Sequence, residues 1–164
     1  MVERAQIRKG IFLIMDIGSK NGYPQSALSN FAPHPFVVEH KGFKLECNSM
    51  EGFLQCLKFK NPEMQKYVAT LVGYEAKKKG KEKNWQVTQI LWWNGEQIDR
   101  NGDEYQELLD VAYNCLFQND KFKNALKATN DATLTHSIGK SDPHETVLTK
   151  SEFCSRLMKL RNKL

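Results

Sequence analysis

Phe43-Lys44-Leu45-Glu46-Cys47-Asn48-Ser49-Met50-Glu51-Gly52-Phe53-Leu54-Gln55-Cys56-Leu57-Lys58 is the stretch in which the apolar period of the chain changes from two to about 3.6. As far as Cys47, apolar and polar residues alternate as in a strand with one covered face. Beyond it Met50, Phe53, Leu54 and Leu57 recur at i, i+3, i+4 and i+7, which predicts an amphipathic helix over 49–59 with that stripe buried. Asn48 is the expected N-cap, and Glu51, three residues on, stands where a capping box has its acid.

Upstream, Phe36-Val37-Val38 and Phe43–Cys47 flank His40-Lys41-Gly42, the pattern of a hairpin with a glycine-containing turn. A Gly/Asn/Pro loop fills 18–25. The run Ile11-Phe12-Leu13-Ile14-Met15 lies behind Arg4, Arg8 and Lys9. It is too short for the ~7–15-residue apolar region of a secretion signal and reads as a buried strand. Downstream, Asn61-Pro62-Glu63 opens a helix expected to stop near Gly73, and a Lys-rich helix follows from about Tyr74. Trp85, Val87, Ile90, Leu91, Trp92 and Trp93 fit a helical face only as far as Asn94-Gly95, with a loop expected beyond. The clearest helix covers Asp103 to about Gln118, with Tyr105, Leu108, Leu109, Ala112, Leu116 and Phe117 on one stripe. A short helix at 121–128, a brief strand at Thr133–His136 and a polar loop from Ile138 to Leu148 come next. Thr149 and Glu152 form a capping box for the last helix, which turns Phe153, Leu157, Leu160 and Leu164 inward. Strands in front and helices behind predict an α+β fold: a mainly helical single domain, residues 1–164, with a small N-terminal antiparallel β element.

A chain of 164 residues is long enough for one core. No stretch approaches the ~20 apolar residues of a membrane span, so no membrane partner is expected. Cys47, Cys56, Cys115 and Cys154 are far apart, form no Cys-x-x-Cys pair and sit in apolar segments. They read as buried free thiols in a cytoplasmic compartment, not as nucleophiles. His34, His40, His136 and His144 have no zinc-ligand spacing, and neither a P-loop nor Gly-x-Gly-x-x-Gly is present. No metal and no cofactor is therefore expected. The net charge of +5 includes the run Lys77-Lys78-Lys79-Gly80-Lys81-Glu82-Lys83, which favours an anionic partner without naming one.

Glu51, Gln55 and Lys58 fall at i, i+4 and i+7 beside the buried stripe. Spacing alone leaves a solvated face as the plainer reading. The loop Leu28-Ser29-Asn30-Phe31-Ala32-Pro33, close enough in sequence to fold over the start of that helix, adds weight to a site. The loop Gly139-Lys140-Ser141-Asp142-Pro143-His144-Glu145-Thr146 is either a solvated turn or a flap over a polar ligand.

Together these residues resemble the NADAR family. The resemblance is carried by Leu28-Ser29-Asn30-Phe31-x-Pro33-x-Pro35 and Ser49-Met50-Glu51-x-Phe53-x-Gln55-x-x-Lys58. Ala76-x-x-x-Gly80, Asn84-Trp85 in place of the usual Asp-Trp, Leu126-x-Ala128-Thr129-x-Asp131-Ala132 and Leu157-Met158-x-Leu160-Arg161 extend it over about 25–164. It implies an N-glycosidase acting on the bond between a base and ribose. The substrate would be a small phosphorylated riboside of the riboflavin-pathway aminopyrimidine type or an ADP-ribosyl compound, including ADP-ribosylated nucleic acid. Glu51 would then be the catalytic carboxylate, with Ser29, Asn30, Phe31, Gln55, Trp85 and Lys81 holding substrate. Lys58 would be an anion contact or, with a lowered pKa, an amine attacking the opened sugar; the first is preferred. Many members carry a Trp-Gly loop before the last helix, whereas this chain has Asp142–Thr149, and Asp142 is its candidate second acid. A non-catalytic NAD or ADP-ribose-binding module and a basic nucleic-acid-binding protein are the alternatives.

Overall fold

Helix α2 of the computed structural model, which describes residues 13–164, spans Met50–Cys56. Its N-cap is Ser49, not Asn48: the Ser49 hydroxyl accepts from the Gly52 amide (3.0 Å) and donates to the Leu71 carbonyl (3.0 Å). Asn48 is occupied elsewhere, its side chain donating to Thr70 O at 3.0 Å and its amide to Ala69 O at 3.1 Å. The shift of one residue leaves Glu51 out of any capping box. The helix also ends before 59, because the amides of Leu57, Lys58 and Phe59 turn to carbonyls three residues back.

Around α2 the other elements follow in chain order: β1 (Ile14–Asp16), α1 (Gln25–Leu28), β2 (Phe36–His40), β3 (Phe43–Cys47), α3 (Pro62–Ala69), α4 (Gly73–Gly80), a 3-10 turn at Trp85–Val87, β4 (Ile90–Trp93), β5 (Glu96–Asp99), α5 (Asp103–Leu116), α6 (Asp120–Lys127), β6 (Thr133–Thr135) and α7 (Lys150–Arg161). This is the expected α+β domain, rich in helix, with the hairpin β2–β3 at the predicted place. Asn61 caps α3 by accepting from the Glu63 and Met64 amides, and Thr149 with Glu152 forms the capping box of α7. Helix α3 stops at Ala69, short of Gly73, since the Thr70 and Leu71 amides also turn three residues back.

Three further expectations are corrected. After the 3-10 turn, residues 90–99 are a hairpin, not a helix and loop: Asn94 and Gly95 have φ of 50° and 83°, the left-handed pair that a two-residue turn between twisted strands requires. Tertiary contact fixes this choice, because Trp92 donates its amide to Leu57 O at 2.8 Å. Buried Gln65 donates to Cys56 O and Trp92 O and accepts from the Asn94 amide, tying α2, α3 and the hairpin together. Second, the front strand covers Ile14–Asp16 and pairs in parallel with β6 from the far end of the chain. Of the predicted strand, Ile11 and Phe12 lie outside the described residues, as do Arg4, Arg8 and Lys9. Third, the 18–25 loop runs into the short helix α1.

The core joins α2 to the inner stripe of α5, where Tyr105, Leu108, Leu109, Ala112, Tyr113 and Leu116 are buried. All four cysteines are free; Cys47 and Cys56 are buried, while Cys115 and Cys154 are only half-buried. Among the described residues no helix is long and apolar enough to cross a membrane.

Gly52 sets how closely α2 approaches the end of α3: a methyl group there would lie 2.5 Å from Leu71 O and 2.7 Å from Ala69 O. Both are backbone atoms that cannot swing aside. Gly52→Ala is expected to lose roughly 2–3 kcal/mol of stability, read as a lower urea midpoint at unchanged slope.

Candidate functional site

A cleft of ≈ 350 Å³ opens over the Glu51–Gln55 face of α2, a volume suited to a small ligand. Its floor is Glu51, Leu54 and Gln55, with Lys58 just past the helix end. One wall is the loop Ser29-Asn30-Phe31, and another is the end of α4 with the 3-10 turn, which brings Lys77, Lys81, Trp85 and Gln86. The far wall comes from the segment after β6, including His136 and Lys140, and from Glu145–Leu148.

Glu51 is half-buried, and its Oε2 accepts from Gln55 Nε2 at 2.7 Å, a bond along one helix face at i, i+4. Burial raises the Glu51 pKa above its ordinary value, against the opposing pull of the Gln55 hydrogen bond and of Lys58 and Lys77. The rest of the Gln55 amide faces α4: its Oε1 is buried with no partner among the described residues and lies against Gly80, where a methyl group would come within 1.7 Å of it. Gly80 thus leaves room for the side chain that orients Glu51. Burial holds the Lys58 ammonium down at about 8; Glu51 pulls it up, while Lys77 and Lys81 push it down. Among the described residues no carboxylate lies within ion-pairing distance of Lys58, Lys77 or Lys81. The cleft therefore has positive charge left over for an anion.

The walls are fixed from behind. The Glu51 amide donates to Asn30 O at 2.9 Å, which seats the Ser29–Phe31 loop on the N-terminus of α2. Phe31 N–H donates to Ser29 Oγ at 3.1 Å, and Tyr113 OH to Asn30 Oδ1 at 2.7 Å. On the far side, the 1 % exposed Arg100 forks onto both oxygens of Glu152 (2.8 and 3.1 Å) and donates to Thr146 O at 2.9 Å; Tyr105 OH donates to Val147 O. The capping acid of α7 and the 146–148 wall are thereby one assembly.

Of the residues singled out by sequence, Ser29, Asn30, Phe31, Glu51, Gln55, Lys58, Lys81 and Trp85 all line this cleft. Trp85 is 4 % exposed and offers too little surface for a base to stack on, whereas Phe31 is half-buried. Asp142 is not part of the lining; it is exposed and accepts from the His144 amide and ring. Glu145 and Lys140 of the same loop do reach the cleft. The Lys-rich run divides, with Lys77 and Lys81 on the cleft, Lys79 paired with Glu82 at 3.1 Å and Lys83 over the Phe59 ring. Cys56 lies beneath the floor, and burial pushes its thiol well above the ordinary value. No group of three or more potential metal ligands occurs among the described residues. Tyr113, next to Ala112 but outside the stripe read from the sequence, is buried in α5; the one signal is that a buried tyrosine needs a partner for its hydroxyl.

The fold and the chain both have relatives. The NMR structure of the E. coli protein YbiA, of the NADAR family, superposes with a TM-score of 0.58 over 92 % of this chain and 83 % of that one, at 17 % identity, a likeness of fold. An uncharacterized 17.1 kDa protein from the Gp30-rIII intergenic region of Enterobacteria phage T4 is 35 % identical over 153 residues, covering 92 % of this chain and 98 % of the phage protein. Residues 22–162 match the family described as bacteriophage protein GP30.3, and the chain belongs to that family.

Proposed function

We propose that the cleft hydrolyses an N-glycosidic bond to ribose, in a phosphorylated N-riboside of the aminopyrimidine type or in an ADP-ribosylated base. The observation that carries this reading is the half-buried Glu51, oriented by Gln55 in a cleft of ≈ 350 Å³ beside three lysines that have no carboxylate partner among the described residues. When the base leaves, positive charge develops on the ribose ring, and a carboxylate at its face stabilises that charge or takes a proton from the attacking water. In this reading Ser29 and Asn30, which line the cleft, hydrogen-bond the sugar or base, Phe31 packs against the base, and Lys58, Lys77 and Lys81 hold phosphate. Glu145 is the better candidate for a second acid than Asp142, because it lines the cleft. No cofactor enters this scheme.

Glu51→Gln keeps the shape and removes the charge. Incubated with a ribosylaminopyrimidine phosphate and with DNA carrying ADP-ribosylated guanine, the wild-type chain is expected to release the base from at least one. Glu51→Gln should be slower by roughly 10²–10⁴-fold. Tight ADP-ribose binding without turnover, indifferent to Glu51→Gln, would instead identify a binding module.

The depressed Lys58 pKa favours a second role for that residue, as an amine adding to the aldehyde of the opened sugar with loss of water. Acidity separates the two roles. As an anion contact, Lys58 loses its charge as pH rises through about 8, so kcat/KM should fall there and Lys58→Arg should restore it. As a nucleophile, the neutral amine appears as pH rises through about 8, so the rate should climb, Lys58→Arg should be inactive, and borohydride should trap the sugar on Lys58. The folded state binds this proton less tightly than the unfolded chain, so its burial opposes folding below about 8 and is relieved as pH rises toward 10.5. Lys58→Met is accordingly expected to raise Tm at pH 7, with a gain that shrinks above pH 8.

A further inference from the structure

Tyr113 on α5 is 1 % exposed, and burial, opposed only in part by Arg156, keeps its phenol protonated far above the ordinary range. A buried hydroxyl proton needs an acceptor, and the partner it has among the described residues is Asn30 Oδ1, at 2.7 Å. The reverse polarity, with Asn30 Nδ2 donating to the phenol oxygen, would strand the phenolic proton in the core. The carboxamide is thus fixed with its oxygen inward. Its Nδ2, with no acceptor among the described residues, is the end left to the cleft that Asn30 lines. The backbone cannot swing to undo this: Asn30 O accepts from Glu51 N–H at 2.9 Å, and the Ala32 amide closes the turn onto Ser29 O at 3.0 Å.

We infer that Tyr113 is a positioning residue that makes Asn30 an obligate hydrogen-bond donor, so that the ligand must present an acceptor, a sugar oxygen, a base carbonyl or an unprotonated ring nitrogen, beside Glu51. This deepens the reading of the cleft as a riboside site and rests on it for the ligand class. An N–H edge in the same place would meet donor against donor and be rejected.

The test uses the full ¹⁵N-labelled chain. The Asn30 side-chain resonances are assigned by their disappearance in Asn30→Ala, and their exchange with water is followed in the free protein. Wild type, Tyr113→Phe, Asn30→Ala and the double variant are then titrated with ADP-ribose by calorimetry. Both Nδ2 protons should exchange freely in the wild type. Asn30→Ala should weaken ADP-ribose binding roughly tenfold and Tyr113→Phe several-fold, with no further loss when Tyr113→Phe is added to Asn30→Ala. An Nδ2 proton protected in the wild type and released by Tyr113→Phe would overturn the assignment of polarity. Losses that simply add in the double variant would overturn the claim that Tyr113 acts through Asn30. The exchange is read without ligand, so wild-type protein that binds no ADP-ribose would sink the riboside reading, while the polarity still stands or falls on the exchange result.

Discussion

The N-terminus of α2 is the joint on which the molecule is assembled. Three segments meet there: the end of α3 through the side chains of Asn48 and Ser49, the Asn48 amide and the close approach at Gly52, the Ser29–Phe31 loop through the Glu51 amide, and the hairpin β2–β3 through the chain itself. These contacts leave little play in the backbone, and the 2.7 Å bond from Gln55 completes the hold on the Glu51 side chain. The sequence change Cys47-Asn48-Ser49-Met50, from strand to cap to helix, creates this joint, and α4 then packs across the helix through another small residue, Gly80.

The cleft balances opposed charges in poor solvent. Burial drives Glu51 toward the neutral acid and Lys58 toward the neutral amine, while each pulls the other back toward its ion. An anionic ligand would shift both: partial neutralisation of the lysines weakens their hold on Glu51, and the anion restores the ammonium of Lys58. Ligand charge and the protonation of the carboxylate are therefore linked through the same few side chains.

What could be read from the sequence followed periodicity and local capping chemistry. Helices α3, α5 and α7 and the hairpin β2–β3 announce themselves through Pro62, the long stripe of α5, the Thr149–Glu152 box and strict alternation. The hairpin at 90–99 was obscured because three tryptophans and neighbouring aliphatics fit a helix as well as a strand. The deciding contacts, Trp92 to Leu57 and Gln65 to Asn94, are long-range. In the site, one helix face and one loop motif marked six of the cleft residues, and the Lys-rich run and Asn84-Trp85 added Lys81 and Trp85. Asp142 and Glu145 are three apart in a turn, and only the fold determines which of the two faces inward. Tyr113 could not be separated from its core neighbours by pattern, because its ring packs in the core while its hydroxyl bonds Asn30.

The parallel pairing of β1 with β6 brings Asp16 and Thr135, 119 residues apart in sequence, to 3.0 Å. The wall of the cleft that carries His136 and Lys140 hangs from this pair, His136 being anchored to Ile17 O at 2.8 Å. Such a contact closes late, after the local helices and hairpins have formed. In a chain made from its N-terminal end, the floor of the cleft is therefore present before residues 133–148 exist, and the far wall can form only once they have been added and paired with residues 14–16.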